Sequence, residues 1–166
     1  TRCEMLKHLG YAVTESSGHN SEYNMWFRKR PELIEKFCPG GSWNGGTGFI
    51  KQLYGSDRAK WEDDMKARAS GKVKIDLTRS HEYGSAIINA METDVPLRIN
   101  GNVMNDGMIT NLPWGCCVEV PCLVDKNGVQ PCHVGALPVQ LAALNVTNVN
   151  VQQMAVQAAL TGDKQL

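Results

Sequence analysis

The sequence predicts an α+β fold, a mixture of antiparallel strands and helices. Three observations carry that prediction. Helix punctuation dominates the first half: "RCEMLKHL" is stopped by Gly10, Pro31 opens "PELIEKF", and a charged run ends at Gly71. Strand patterning dominates the middle, where "CCVEVPCLVD" runs into the hairpin signal "DKNG". The order mixes antiparallel hairpins with helices, which is the α+β pattern.

Taken in order, residues 2–9 read as a helix end and "YAVT" (11–14) as a short strand. "SSGHN" (16–20) reads as a turn on its Ser, Gly and Asn content. "SEYNMWFRK" shows only weak helical periodicity. "PELIEKF" is a short helix with proline at its first position. Residues 38–48, "CPGGSWNGGTG", hold five glycines and a proline and read as a surface loop. "FIKQLYGSDRAKWEDDMKARAS" reads as a helix whose charges form a solvated face. "KVKIDL" (72–77) alternates and reads as a strand. "EYGSAIINAM" is a helix with Ala86, Ile87, Ala90 and Met91 on one face. "PLRINGNVMN", "MITNLP" and "CCVEVPCLVD" read as strands, and "DKNG" turns the last of them into "VQPCHVG". A final helix spans Pro138 to Thr161, with Leu141, Leu144, Val151, Ala155 and Ala158 as its apolar stripe.

The 166 residues are enough for one sizeable core, and a single domain over 1–166 is expected. Seventeen basic residues balance seventeen acidic ones, which argues against binding nucleic acid through phosphate contacts. Apolar runs fall far short of a membrane span, so no membrane partner is expected. There is no initiator Met and no signal peptide, and the chain is expected to be a piece of a longer protein. Six cysteines sit in a chain that is 42% hydrophobic, so reduced thiols in the cytoplasm are expected rather than disulfide staples. There is no internal repeat and no GxGxxG or GxxxxGK phosphate-binding motif.

Three clusters hold residues able to carry chemistry. His19, in "TESSGHNSEY", is either a metal ligand or a polar residue on a turn. "KIDLTRSHEYG" packs Asp76, Arg79, His81, Glu82 and Tyr83 together, which suits acid/base work at a strand end. The alternative is a capped helix start, with Thr78 or Ser80 as N-cap and Glu82 in the first turn. Cys116, Cys117, Cys122, Cys132 and His133 are the right residue types for zinc. Their spacing is not CxxC, however, and adjacent strand cysteines face opposite ways.

Four blocks then resemble one family in the same order and over nearly the whole chain. They are "LGYAVTESSGHNSEY", "KIDL…EYGSAIINAM", "GNVMNDGMITNLPWGCCVEVPCLVDKNGVQP" and "VGALPVQLAALNVTNVNVQ". Together they resemble the family 4 glycoside hydrolases, with the nearest likeness to the bacterial α-galactosidase (melibiase) type. The resemblance implies a fold like the C-terminal domains of lactate and malate dehydrogenases. It also implies NAD and Mn²⁺ as cofactors, a known exception to two-carboxylate glycosidase chemistry. The chemistry implied is oxidation of the sugar at C3 by NAD, removal of the C2 proton by a protein base, and loss of the aglycone from C1. The metal acts as Lewis acid.

Carried over by residue, the resemblance makes His19 a metal ligand and puts Asp76 and Tyr83 around the catalytic base. Asp76 is favoured as the base and Tyr83 is its rival. Arg79 and Asn105, the latter in the "NDG" turn, become substrate contacts. The family's N-terminal Rossmann domain, its metal-binding Cys in a "CH" motif and its Asn-His motif lie before Thr1. Its final helical segment lies after Leu166. The loop at 38–48 departs from the family pattern. The expectation is therefore the substrate- and metal-binding C-terminal part of an α-galactosidase, inactive in isolation, with an α-galactoside and the NAD-binding domain as partners and a homo-oligomer as its assembly. Within the family, an α-glucosidase, α-glucuronidase or 6-phospho-glycosidase is the alternative. Outside it, the alternative is a non-catalytic oligomerisation module.

Overall fold

The computed structural model describes residues 1–38, 51, 54–55, 58–163 and 165. The glycine-rich loop expected at 38–48 lies outside them except for Cys38. The chain divides into two compact units, Thr1–Arg79 and Ser80–Leu166.

The first unit is helical. Helix α1, Arg2–Leu9, carries Glu4 in its first turn and Lys7 and His8 in its last, the charge order that suits the helix dipole. Gly10 closes it at φ 78°, with its N–H bonded to the Leu6 carbonyl at 2.9 Å. This is a left-handed position that glycine takes without steric cost. The strand expected at 11–14 does not form: the Val13 carbonyl accepts from Arg2 Nε at 2.9 Å, not from a neighbouring strand.

The turn expected at 16–20 is instead the start of helix α2, Ser17–Tyr23. Ser16 caps it, its Oγ accepting the His19 N–H at 3.2 Å. The helix buries polar residues, which hides it from a search for an apolar stripe. Ser21 is buried and stays satisfied, donating to the Gly18 carbonyl at 2.6 Å and accepting from Arg28 Nε at 2.9 Å.

Helix α3, Pro31–Phe37, starts on its proline as expected. Phe37 meets the buried Phe27 edge-to-face at 5.2 Å, beside Met5 of α1 in a small apolar pocket. Helix α4, Arg58–Ala69, is followed by Gly71 at φ 74°. Residues 72–77, expected as a strand, are exposed and form no strand; the Lys72 and Val73 N–H groups bond back to the Ala67 carbonyl.

The second unit holds a three-stranded antiparallel sheet in the order β1-β2-β3, with β1 Leu97–Met104, β2 Cys117–Asp125 and β3 Gly128–Pro131. In β2, Val118, Val120, Cys122 and Val124 are buried, while Cys117, Glu119 and Leu123 face out. In β1, Ile99 and Val103 pack on the core and Arg98, Asn100, Asn102 and Met104 face out. This is the period-two pattern of a sheet with one covered face.

The β2–β3 hairpin forms on "DKNG" as expected. The Asp125 Oδ1 accepts the Asn127 N–H at 2.7 Å, and Gly128 takes φ 96°. Helix α5, Gly84–Thr93, packs on β1 and β2 through Ala90. At its end Asp94 bonds Lys126 at 2.7 Å, tying the helix to the hairpin turn.

The segment "MITNLP" makes only a single bridge, Ile109 to Gly135, where a strand was expected. Helix α6, Val139–Thr161, buries Ala142 and Val149. Of its expected stripe, Leu141, Leu144 and Ala158 are half-buried but Val151 and Ala155 are exposed. Both of its buried residues fall in the first half of the helix.

Candidate functional site

His19 stands in the first turn of α2. Its Nδ1 lies 3.3 Å from Glu15 Oε1, and its ring stacks on Tyr23 with centroids 5.8 Å apart. In the tautomer that protonates Nδ1, that nitrogen donates to Glu15 and the Nε2 lone pair is left open. A carboxylate behind a histidine is the usual arrangement for a ligating imidazole. Glu15 is held below the usual carboxylate range, first by the Ser16 N–H at 2.7 Å and then by His19. Glu15 precedes His19 by four residues, the spacing of a helical turn. That signal is invisible while the segment is read as a turn. The donor set fits a metal as a single oriented ligand. Among the described residues, no group of three or more His, Cys, Asp or Glu is placed to hold an ion.

The second cluster is an exposed segment. Asp76 Oδ1 accepts the Thr78 N–H at 2.8 Å, and Thr78, through side chain and backbone, lowers the Asp76 pKa. Ser80 Oγ accepts the Glu82 N–H at 3.2 Å in a local turn. Neither Thr78 nor Ser80 caps a helix: the N-cap of α5 is Tyr83, which makes no side-chain cap bond. Asp76 and Arg79 belong to the first unit, and Tyr83 and Asn105 to the second. Tyr83 is half exposed and lines an open cleft of about 490 Å³ with outward residues of β1 and Glu119 of β2.

Asn105, expected as a substrate contact, has a different role. It is 1% exposed and its amide is bonded inside its own loop. Nδ2 donates to the carbonyls of Ile109, Leu112 and Pro113 at 3.0, 3.2 and 3.1 Å, and Oδ1 accepts the Ile109 N–H at 3.0 Å. Both N–H groups are engaged within the loop, and burial keeps the oxygen from solvent. This side chain is also why "MITNLP" is not a strand: it draws the backbone into a closed loop.

The cysteines do not assemble into a site. Cys116 is buried, Cys117 exposed, Cys122 buried in the core and Cys132 exposed, and all six in the chain are free thiols.

The Family 4 glycosyl hydrolase C-terminal domain profile matches residues 1–166. The α-galactosidase of Bacillus subtilis is 44% identical over 99% of this chain and 37% of its own length. The α-galactosidase of Rhizobium meliloti is 39% identical over 98% of this chain and 34% of its own. The chain thus spans about a third of the length of these relatives. Among solved structures, a 6-phospho-α-glucosidase from gut microorganisms, in complex with NAD and Mn²⁺, superposes with a TM-score of 0.59. That match has 21% identity and covers 74% of this chain and 29% of the other. At that identity it supports the fold alone.

Proposed function

The chain belongs to the family 4 glycosyl hydrolases as a C-terminal domain, and on that premise we propose that it is the substrate-side part of an NAD- and Mn²⁺-dependent α-galactosidase. The observation that carries the reading is the 44% identity to an α-galactosidase over 99% of the chain. The cofactor assignment rests on membership of the family; a protein of similar fold was solved with NAD and Mn²⁺.

In this reading His19 offers Nε2 to the metal, and Glu15 fixes the ring. Bound NAD and Mn²⁺ supply a hydride acceptor and a Lewis acid. Asp76 takes the proton from C2 of the sugar. Thr78 favours its ionised carboxylate, the form that can accept a proton. Tyr83 is the alternative base. Arg79 is a contact for sugar hydroxyls. The NAD site and the remaining metal ligands are assigned to sequence such as the relatives carry outside the matched third.

Six free thiols favour a reducing, cytoplasmic setting. Self-association belongs to the same reading: Val151, Met154, Val156 and Leu160 of α6 are exposed. Light scattering on the full-length protein tests it.

The deciding experiment assays the full-length protein with NAD and Mn²⁺ on aryl α-galactoside, α-glucoside, α-glucuronide and 6-phospho-α-glucoside. A preference for the galactoside of roughly tenfold or more in kcat/KM is expected. Preference for a phosphosugar, or no galactoside turnover, overturns the reading. The 166-residue chain alone is expected to be inactive.

A further inference from the structure

We propose that the cleft along β1 is a subsite for the neutral saccharide released from an α-galactoside; the assignment rests on the α-galactosidase reading above. The cleft measures about 490 Å³ and joins Tyr83, a candidate base, to Arg98, Asn100 and Asn102 of β1 and Glu119 of β2. All five residues lie in one unit, Ser80–Leu166.

The sheet fixes their arrangement. Asn102 pairs directly with Glu119 in the β1–β2 register, so their Cβ atoms stand about 5 Å apart. Asn100 lies two residues along the same face, about 7 Å away, and Arg98 as far again. In the described sheet β1 pairs only with β2, so its other edge is open. Among the described residues, no hydrogen bond or ion pair engages the side chains of Arg98, Asn100, Asn102 or Glu119.

The chemistry of the set selects its ligand. A carboxylate only accepts, a guanidinium only donates, and each amide does both. A sugar hydroxyl also donates and accepts, so a polyol can satisfy all four groups. A phosphate or carboxylate ligand accepts only and would confront Glu119. The single cation and single anion leave the cleft without net charge. The match is therefore to a neutral saccharide rather than a phosphosugar. Its place beside Tyr83 suits the leaving sugar rather than a remote surface site.

The test uses the full-length protein with two substrates: an α-galactosyl disaccharide, and an aryl α-galactoside that has no leaving sugar. In Asn102→Ala and Glu119→Ala, the ratio of kcat/KM for disaccharide over aryl substrate is expected to fall roughly tenfold, carried mainly by the disaccharide KM. Titrating the protein with glucose, the leaving sugar of a galactosyl-glucose disaccharide, should shift the backbone amides of Arg98, Asn100, Asn102 and Glu119. An unchanged ratio together with unshifted amides makes the cleft a solvated face and overturns the proposal. If a variant fails to fold, the amide shifts of the unmodified protein decide. Failure of the unmodified protein to hydrolyse the aryl α-galactoside overturns the enzymatic reading instead, and leaves the glucose titration to judge the cleft.

Discussion

His19 Nδ1 lies 3.3 Å from Glu15 Oε1, one helical turn behind it. In the tautomer that protonates Nδ1, the contact leaves Nε2 open on the side of the ring away from Glu15. If His19 ligates the metal, Glu15 is a positioning residue. Glu15→Gln in the full-length enzyme should weaken Mn²⁺ binding by about 10- to 100-fold. His19→Ala should weaken it further. Calorimetric titration of Mn²⁺ into each variant gives both numbers, and unaltered affinity in His19→Ala would remove it from the metal site.

Under the proposed function Asp76 and Tyr83 are rival candidates for the base, and single substitutions separate them. Asp76→Asn should lower kcat by about 10²- to 10⁴-fold, the range expected for losing a general base. Tyr83→Phe should cost much less. The reverse ranking assigns the base to Tyr83. Asp76 is exposed and, among the described residues, bonded within its own turn, so Asp76→Asn should not shift the thermal midpoint.

The parts of the fold that could be read from sequence have local causes. Gly10, Gly71, Pro31 and "DKNG" each impose a backbone conformation on their immediate neighbours, and the structure follows each of them. "YAVT" and "KVKIDL" alternate correctly but find no partner strand among the described residues, because a strand's hydrogen bonds are not set by its own sequence. Helix α2 was hidden because its buried residues include Asn20 and Ser21 rather than leucines. At the candidate site, His19, Asp76 and Tyr83 stood out through family resemblance. Glu15 needed the helix first. The loop-closing bonds of Asn105 are not legible in sequence, because an "NDG" turn looks the same whether its asparagine faces solvent or closes a loop.

The hairpin turn should respond to acid. The Asn127 N–H, and then Gln130, hold the Asp125 carboxyl below its ordinary 3.8. A depressed pKa means the stabilisation is fully present above 3.8 and is lost as pH falls through the lower folded value. The Asn127 amide proton should therefore titrate with a midpoint below 3.8. A midpoint at or above that value contradicts the bond, and Asp125→Asn should abolish the titration.

Asn105 should behave as a structural keystone. Asn105→Ala strips partners from three carbonyls and one N–H, and burial makes each loss costly. A destabilisation of about 2–4 kcal/mol is expected in denaturant unfolding. Asn105→Asp should be no better, since an ionised carboxylate cannot donate to the same three carbonyls. A cost under about 1 kcal/mol would mean that water or another side chain replaces the amide.

Gly101 and Cys122 should be coupled. A Cβ on Gly101 would sit 3.0 Å from Cys122 Sγ, and Cys122 is wholly buried on the covered face of the sheet. The sulfur has little room to retreat, because Val120 and Val124 flank it along the same buried face of β2. Gly101→Ala should therefore destabilise the protein by about 1–3 kcal/mol, the usual range for overpacking. Cys122→Ala removes the sulfur and leaves a small void of its own. The two changes together should cost less than the sum of the singles, because the new methyl fills space the sulfur vacated. Unfolding midpoints of the four proteins in the cycle measure this directly. Strict additivity would show that the strand backbone, not the sulfur, rejects a side chain at position 101.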